Sequence, residues 1–328
     1  MSDERVGALA GRRVLVTGGR GFIGSHLVRR LLAGGADVHI VSRTGLPTDR
    51  FTETQRLTWH IAPSFALDTL RAIVCTARPS LVFHLAADTS TRHMDAQWHA
   101  LDRALDVNIM GTIRLIDALR DVEGVEHVIR LGGLEEYGRG PIPFLETQRE
   151  APVSPYSASQ VAVTHFFSML QAHVPFALTT LRPALVYGPG QPDTFLIPTL
   201  IRAGLAGTPM RVQAGNRGRD LIFIDDLIDA MYRTATIAFA RGAVINIGSG
   251  RQWRMREIAE RIHTLTGARS DLHIADAPRE QSVVDDLVAD ITRATEGLSW
   301  SASTGIDAGL AVTIESRRHD WDTVRRVN

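Results

Sequence analysis

Thr17-Gly18-Gly19-Arg20-Gly21-Phe22-Ile23-Gly24 is the stretch on which the reading of this chain turns. The apolar run Arg13-Val14-Leu15-Val16 before it reads as a buried strand. Ser25-His26-Leu27-Val28-Arg29-Arg30-Leu31-Leu32-Ala33 after it has apolar residues at helical spacing, with Gly34-Gly35 as a stop. A strand, a glycine turn and a helix make a phosphate cradle: glycine lets the backbone approach a pyrophosphate, and the helix N-terminus favours the anion. The spacing is Gly-x-x-Gly-x-x-Gly, not the Gly-x-Gly-x-x-Gly of the common fingerprint. A second strand, Asp37-Val38-His39-Ile40-Val41, completes the unit. We therefore expect dinucleotide contacts at Gly18, Arg20, Gly21, Phe22, Ile23 and Gly24.

The end of that second strand selects the dinucleotide. An acid there accepts from ribose hydroxyls and favours NAD(H), whereas an arginine accommodates a 2′-phosphate. The chain has Arg43 at this end and Arg20 in the loop, so NADP(H) is favoured over NAD(H), the alternative being that both are solvated surface arginines. Lys+Arg and Asp+Glu are both 36 in 328 residues, and this zero net charge argues against nucleic-acid or membrane-surface partners. Scattered histidines predict no metal site. Cys75, the single cysteine, falls in an apolar run and is expected to be an inert core thiol. With no signal peptide or membrane span in view, a cytoplasmic protein is expected.

Strands and helices alternate as far as Arg182-Pro183, giving an α/β, Rossmann-type doubly wound parallel sheet. Residues 1–185 are expected to bind the cofactor. Residues 186–328 read as a smaller, mainly substrate-binding lobe with segments returning to the first domain. Leu81 to Leu85 is a buried strand whose end, Leu85-Ala86-Ala87, leaves room for a cofactor, and Pro183 and Val186 are expected to line it too. Asp88, Thr89, Ser90 and Thr91 follow at the edge where such sheets bind substrate. Asp225-Asp226 reads as a helix N-cap.

These motifs together resemble the extended short-chain dehydrogenase/reductases that act on nucleotide sugars. The matching residues are the glycine loop, His84-Leu85-Ala86-Ala87, Asn108 with Gly111-Thr112, Glu135-Glu136-Tyr137-Gly138 and Ser154-Pro155-Tyr156. Further matches are Arg182-Pro183 with Tyr187-Gly188-Pro189-Gly190, Arg219-Asp220, and Asn246-Ile247-Gly248-Ser249-Gly250. The resemblance implies a Ser or Thr, a Tyr, and a Lys four residues after the Tyr. Tyr156 matches the tyrosine, but the lysine place holds Gln160 and the Ser/Thr place Gly133. Glu135 matches a glutamate of the family's dehydratases and decarboxylases, while Leu134 stands where dehydratases have an aspartate. Arg219 matches the arginine that grips the sugar-nucleotide diphosphate. The helix containing His165, Phe166, Phe167, Met169 and Leu170 matches one that builds a homodimer.

A free tyrosine has a pKa of about 10, and a nearby cation lowers it. Uncharged Gln160 cannot do so, though its amide could bond a cofactor ribose hydroxyl. A protonated Tyr156 is a poor base for oxidation but a usable proton donor, which favours NADPH-dependent reduction of a nucleotide-linked keto sugar. The alternatives are an epimerase, dehydratase or decarboxylase that uses Glu135 with a retained cofactor, or a catalytically silent dinucleotide-binding relative.

Overall fold

The computed structural model describes residues 7–44, 51, 56–89, 98–278 and 284–327. Strand β1 (Arg13–Thr17) runs into helix α1 (Phe22–Ala33), β2 (Asp37–Ser42), β3 (Leu57–Ile61), α2 (Leu67–Ala77) and β4 (Leu81–His84). Next come α3 (Trp98–Arg103), a π-helical segment (Ala104–Met110), α4 (Gly111–Arg120), β5 (His127–Leu131) and a 3-10 turn (Leu134–Glu136). Then follow α5 (Pro155–Leu170), β6 (Ala177–Pro183) and β7 (Leu185–Tyr187). The remaining chain forms α6 (Leu196–Ala206), β8 (Met210–Val212), β9 (Gly218–Phe223), α7 (Ile224–Thr236), β10 (Val244–Ile247), β11 (Gln252–Arg254) and α8 (Met255–Thr266). It ends with β12 (Leu272–Ile274), β13 (Asp286–Leu287), α9 (Thr292–Leu298) and α10 (Ile306–Val327).

Among the described residues the main sheet has seven strands in the order β10-β6-β5-β4-β1-β2-β3, all parallel. The order reverses between β1 and β4, so their carboxyl ends, Thr17 and His84, open a crevice there. Side chains alternate across the sheet as the period of two requires. Val14, Val16, Val38 and Ile40 pack on one face with Leu27, Val28 and Leu31 of α1. Leu15, Val41 and Val82 pack on the other with Leu115, Leu119 and Phe167. Helix α5 starts where Ser154 Oγ accepts from Ser157 N–H and Pro155 opens the first turn.

Beyond β6 a second sheet is built of β11-β9-β13 with β7 beside β9, and β8 pairs β12. Strand β10 comes back to the main sheet, with Asn246 opposite Arg182. No helix of the described residues is long and apolar enough to cross a membrane.

Two expectations need correcting. Cys75 is exposed, because Leu70, Ile73, Val74 and Ala77 turn the other face of α2 to the core. Asp225 and Asp226 lie in the first turn of α7, whose N-cap is Phe223. Asp226 accepts from the N–H groups of Ser303 and Thr304 and from Ser303 Oγ, which ties α7 to the segment before α10.

Candidate active site

The glycine loop lies at the β1/β4 crevice. Gly18 has φ +71°, and a Cβ on it would lie 2.8 Å from Leu85 C and Ala86 N, so the loop can seat against Leu85-Ala86 only as glycine. A Cβ at Gly24 would overlap the Gly18 carbonyl oxygen, so α1 approaches the turn at backbone distance. Helix α1 begins at Gly21 with no side-chain cap, which leaves the first-turn N–H donors available to an anion. Phe22 and Ile23 are half-buried beside them.

His84 braces this edge. Its Nδ1 lies 2.7 Å from Thr17 Oγ1 and its Nε2 2.9 Å from Thr112 Oγ1, while Ala86 N–H donates to Thr17 Oγ1 at 3.2 Å. Burial, and then the charge of Arg130, push the imidazole down to about 3, so it is a neutral brace at working pH. At the end of β2, Arg43 is exposed and Arg20 donates to Thr44 Oγ1, which brings both arginines to one edge. The described residues there, Ser42, Arg43 and Thr44, include no carboxylate. A cradle without Cβ atoms, open helix donors and small residues at Ala86-Ala87 fit a bound dinucleotide.

Tyr156 lies in the first turn of α5 and is buried, at the positive end of the helix dipole. Gln160 follows one turn later on the same face, and its Oε1 accepts from Arg130 Nη2 at 2.6 Å. Arg130, on β5, also donates to the Gln160 carbonyl at 3.2 Å and to Thr164 Oγ1 at 2.9 Å. Glu136, fully buried, accepts from Arg130 at 3.3 Å, from Arg182 Nε at 2.9 Å and from Thr164 Oγ1 at 2.7 Å. Glu150 accepts from Arg182 at 2.6 Å and closes this network of two guanidinium and two carboxylate groups. Burial works against the Arg130 charge, while Glu136 and then Tyr156 support it, so Tyr156 lies within its electrostatic reach. Burial also opposes the Arg182 charge, but Glu136 and Tyr137 hold it above its ordinary value.

A family model described as the NAD dependent epimerase/dehydratase family matches residues 14–248. The chain belongs to this family. It is 31% identical to a UDP-glucose 4-epimerase of Mycolicibacterium smegmatis, across 94% of this chain and 99% of that one. It is 27% identical to a UDP-N-acetyl-alpha-D-glucosaminuronate decarboxylase of Bacillus cytotoxicus, across 93% and 97%. The solved structure of MoeE5 in complex with UDP-glucuronic acid and NAD superposes with a TM-score of 0.82 at 32% identity, over 94% and 99% of the two chains.

Against this family, the other expected site residues lie as follows. Gly133 is extended, and a Cβ on it would have Glu135 N and the Pro183 carbonyl oxygen as nearest neighbours, both at 3.9 Å. Glu135 lies within electrostatic reach of Arg219. The Arg219 guanidinium donates to the carbonyls of Gly218, Asp285 and Val284, so a diphosphate there would compete with those carbonyls. Its neighbour Asp220 instead organises the 249–250 turn and Ala289 through their N–H groups. Pro183 is buried in β6, and Val186 gives its carbonyl to Gln191. Asp88 pairs with Arg103, and its backbone is held by Asn108, whose Nδ2 also donates to Ser159 Oγ at 2.9 Å. Ser159 Oγ donates to the Tyr156 carbonyl, so Asn108 connects the β4 end to the tyrosine's own turn. Thr89 is exposed, and Ser90 and Thr91 lie outside the described residues.

Sequence reasoning passed over Arg130. The signal was present: an arginine inside the apolar strand His127-Val128-Ile129-Arg130-Leu131, with a glutamate six residues on, must pair if the strand is buried. A cleft of about 510 Å³ beside the second sheet, lined in part by Arg217, Arg254, Arg256, Asp276 and Asp286, also gave no sequence signal. Four of its charges pair with one another, Arg254 with Asp286 at 2.7 Å and Arg256 with Asp276 at 2.6 Å.

Proposed function

We propose that this chain is a nucleotide-sugar epimerase that oxidises a sugar carbinol and reduces it again with a retained dinucleotide. The observation that carries this reading is Tyr156, buried in the first turn of α5 beside the dinucleotide crevice, in a chain alike from end to end to a UDP-glucose 4-epimerase. Inverting a carbinol centre requires that its hydrogen leave and return on the other face. A nicotinamide held at the glycine cradle would supply the acceptor and donor for that hydride. Tyr156 accepts the hydroxyl proton as the carbon is oxidised and returns it to the carbonyl oxygen on reduction, so protons and electrons balance over the cycle. Leu134, in the place of the dehydratase aspartate, supports epimerisation over dehydration. Glu135 is assigned to the sugar hydroxyls and Arg219 to the diphosphate, which their mutual electrostatic reach supports.

For the cofactor, Arg20 and Arg43 at the β2 edge support NADP(H) over NAD(H), although the MoeE5 structure carries NAD. The same two arginines favour a second reading, one-way reduction of a nucleotide-linked keto sugar by NADPH.

One experiment separates the readings. The purified protein is titrated with NADPH, NADH and their oxidised forms; the oxidised-cofactor complex is then mixed with UDP-glucose or UDP-glucuronic acid, and the reduced complex with a UDP-4-keto sugar, while nicotinamide absorbance is followed. The expected result is tighter NADP(H) binding and a changed sugar with no net change in absorbance. Tyr156→Phe should lower turnover by about 10²-fold or more. Consumption of NADPH by the keto sugar over many turnovers, beyond one equivalent per protein, would replace this reading with the reductase. Binding without any altered sugar would replace it with the silent relative.

A further inference from the structure

The stripe of α5 that faces the sheet carries Tyr156, Gln160, Thr164 and Phe167, one helical turn after another, all buried. Arg130 rises from β5 along this stripe. It meets the Phe167 ring at 5.8 Å, donates to Thr164 Oγ1, and ends on the Gln160 amide oxygen at 2.6 Å. The next turn toward the helix N-terminus is Tyr156, whose charge Arg130 feels. The guanidinium therefore lies against residue 160, one turn from the tyrosine, on the stripe from which a lysine at that position would start.

Position 160 and position 130 cannot both be cationic. An ammonium at 160 would start against the guanidinium, whose carboxylate partner Glu136 is already shared with Arg182. The site has room for one positive charge on the tyrosine side, and in this chain it comes from the sheet instead of the helix. Gly132 is part of the same arrangement: a Cβ there would overlap Glu136 Oε1 and lie 2.8 Å from Arg130 Nη2.

We propose that Arg130 is the cation that prepares the Tyr156 phenol to give up its proton, in place of the lysine that Gln160 has displaced. Arg130 acts through Tyr156 and is thus a positioning residue. The role rests on the proposed reading of Tyr156 as the proton acceptor of the oxidative half-reaction. The charged groups around the phenol's stripe are Arg130 from β5, Glu136 and Glu135 from the 3-10 turn, Arg182 from β6 and Glu150 from the loop before α5. Burial lowers the Arg130 guanidinium from its ordinary value, but it starts further from neutrality than a lysine does.

The test is titration of the Tyr156 phenolate band in the full-length protein with NADP+ bound, subtracting the Tyr156→Phe spectrum to remove the other tyrosines. Two double variants are compared, because Arg130→Met alone leaves Glu136 short of a partner and risks misfolding. Arg130→Met with Glu136→Gln removes both members of the ion pair. Arg130→Met with Gln160→Lys moves the cation to the helix. In the parent, Tyr156 should ionise below the ordinary tyrosine value of about 10. Removing the pair should raise it by about one to two pH units, and the charge-moved variant should bring it back toward the parent. A Tyr156 titration that is the same in the parent and in the pair-removed variant would overturn the proposal. No sugar is needed for this measurement. A protein that shows the Arg130-dependent titration but alters no nucleotide sugar would sink the epimerase reading and leave the electrostatic role of Arg130 intact.

Discussion

Gly133 and Gly132 are neighbours with opposite tolerances. At Gly133, φ is 179° and a Cβ would meet nothing closer than 3.9 Å, so a serine fits both the backbone and the space. Gly133→Ser should fold as the parent does and raise kcat/KM for nucleotide-sugar turnover about tenfold, a low value for one added catalytic hydrogen bond. Gly132→Ala should instead break the Arg130–Glu136 pair and cost roughly 3–5 kcal/mol in denaturant unfolding. Equal effects of the two substitutions would refute this distinction. That Gly133 takes the family's Ser/Thr place is what the resemblance implies when counted back from Tyr137. That the position is vacant and unhindered was not legible there, because the free space is bounded by Pro183, fifty residues away in the chain.

Among the elements, α5 serves two surfaces. Its inner stripe carries Tyr156, and its outer side leaves Phe166 38% and Met169 51% exposed. The π-helical segment packs beside it, exposing Leu105 and Met110, and Leu101 is exposed on the adjoining α3. We propose that this apolar surface pairs with its copy in a homodimer, which would cover each of these side chains twice over. Met169→Glu should then weaken the dimer by about 100-fold, roughly the burial of one such side chain in each of two copies, as read by sedimentation velocity. A parent protein that sediments as a monomer would sink the idea. Helix α5 itself was plain in the sequence from Ser154-Pro155 and the apolar spacing after it. The π-helical geometry was not, since one extra residue per turn leaves no mark in a short apolar pattern. It places Asn108 where it can bond both Asp88 and Ser159.

At the scale of the whole molecule, buried histidines couple stability to pH. Burial and then Arg130 push His84 down to about 3, and burial with Arg241 and Arg12 pushes His127 down to about 4. Below the ordinary value of 6.5 the unfolded chain takes up protons that the folded chain refuses, so stability is lost as pH falls. The loss is about 1.4 kcal/mol per pH unit for each histidine, ending near the folded values. Asp220 and Glu146, raised by burial, act in the opposite sense nearer the carboxylate range. His39 and His60, which burial also lowers, add to the loss, so thermal unfolding should show a falling Tm between about pH 6.5 and 5, with the slope reduced by roughly a quarter to a half in His127→Gln. A flat profile would show that none of these histidines is neutral and buried. Local pattern determined the doubly wound sheet and the glycine cradle, and the family resemblance marked Tyr156, Gly133 and Gln160. Strand periodicity, turn glycines and caps act over a few residues and so are written in order along the chain. Only the tertiary structure decided that the uncharged Gln160 has a cation against it, because Arg130 reaches it from another element. A charge in a low-dielectric interior acts through space, on whichever group the packing brings near.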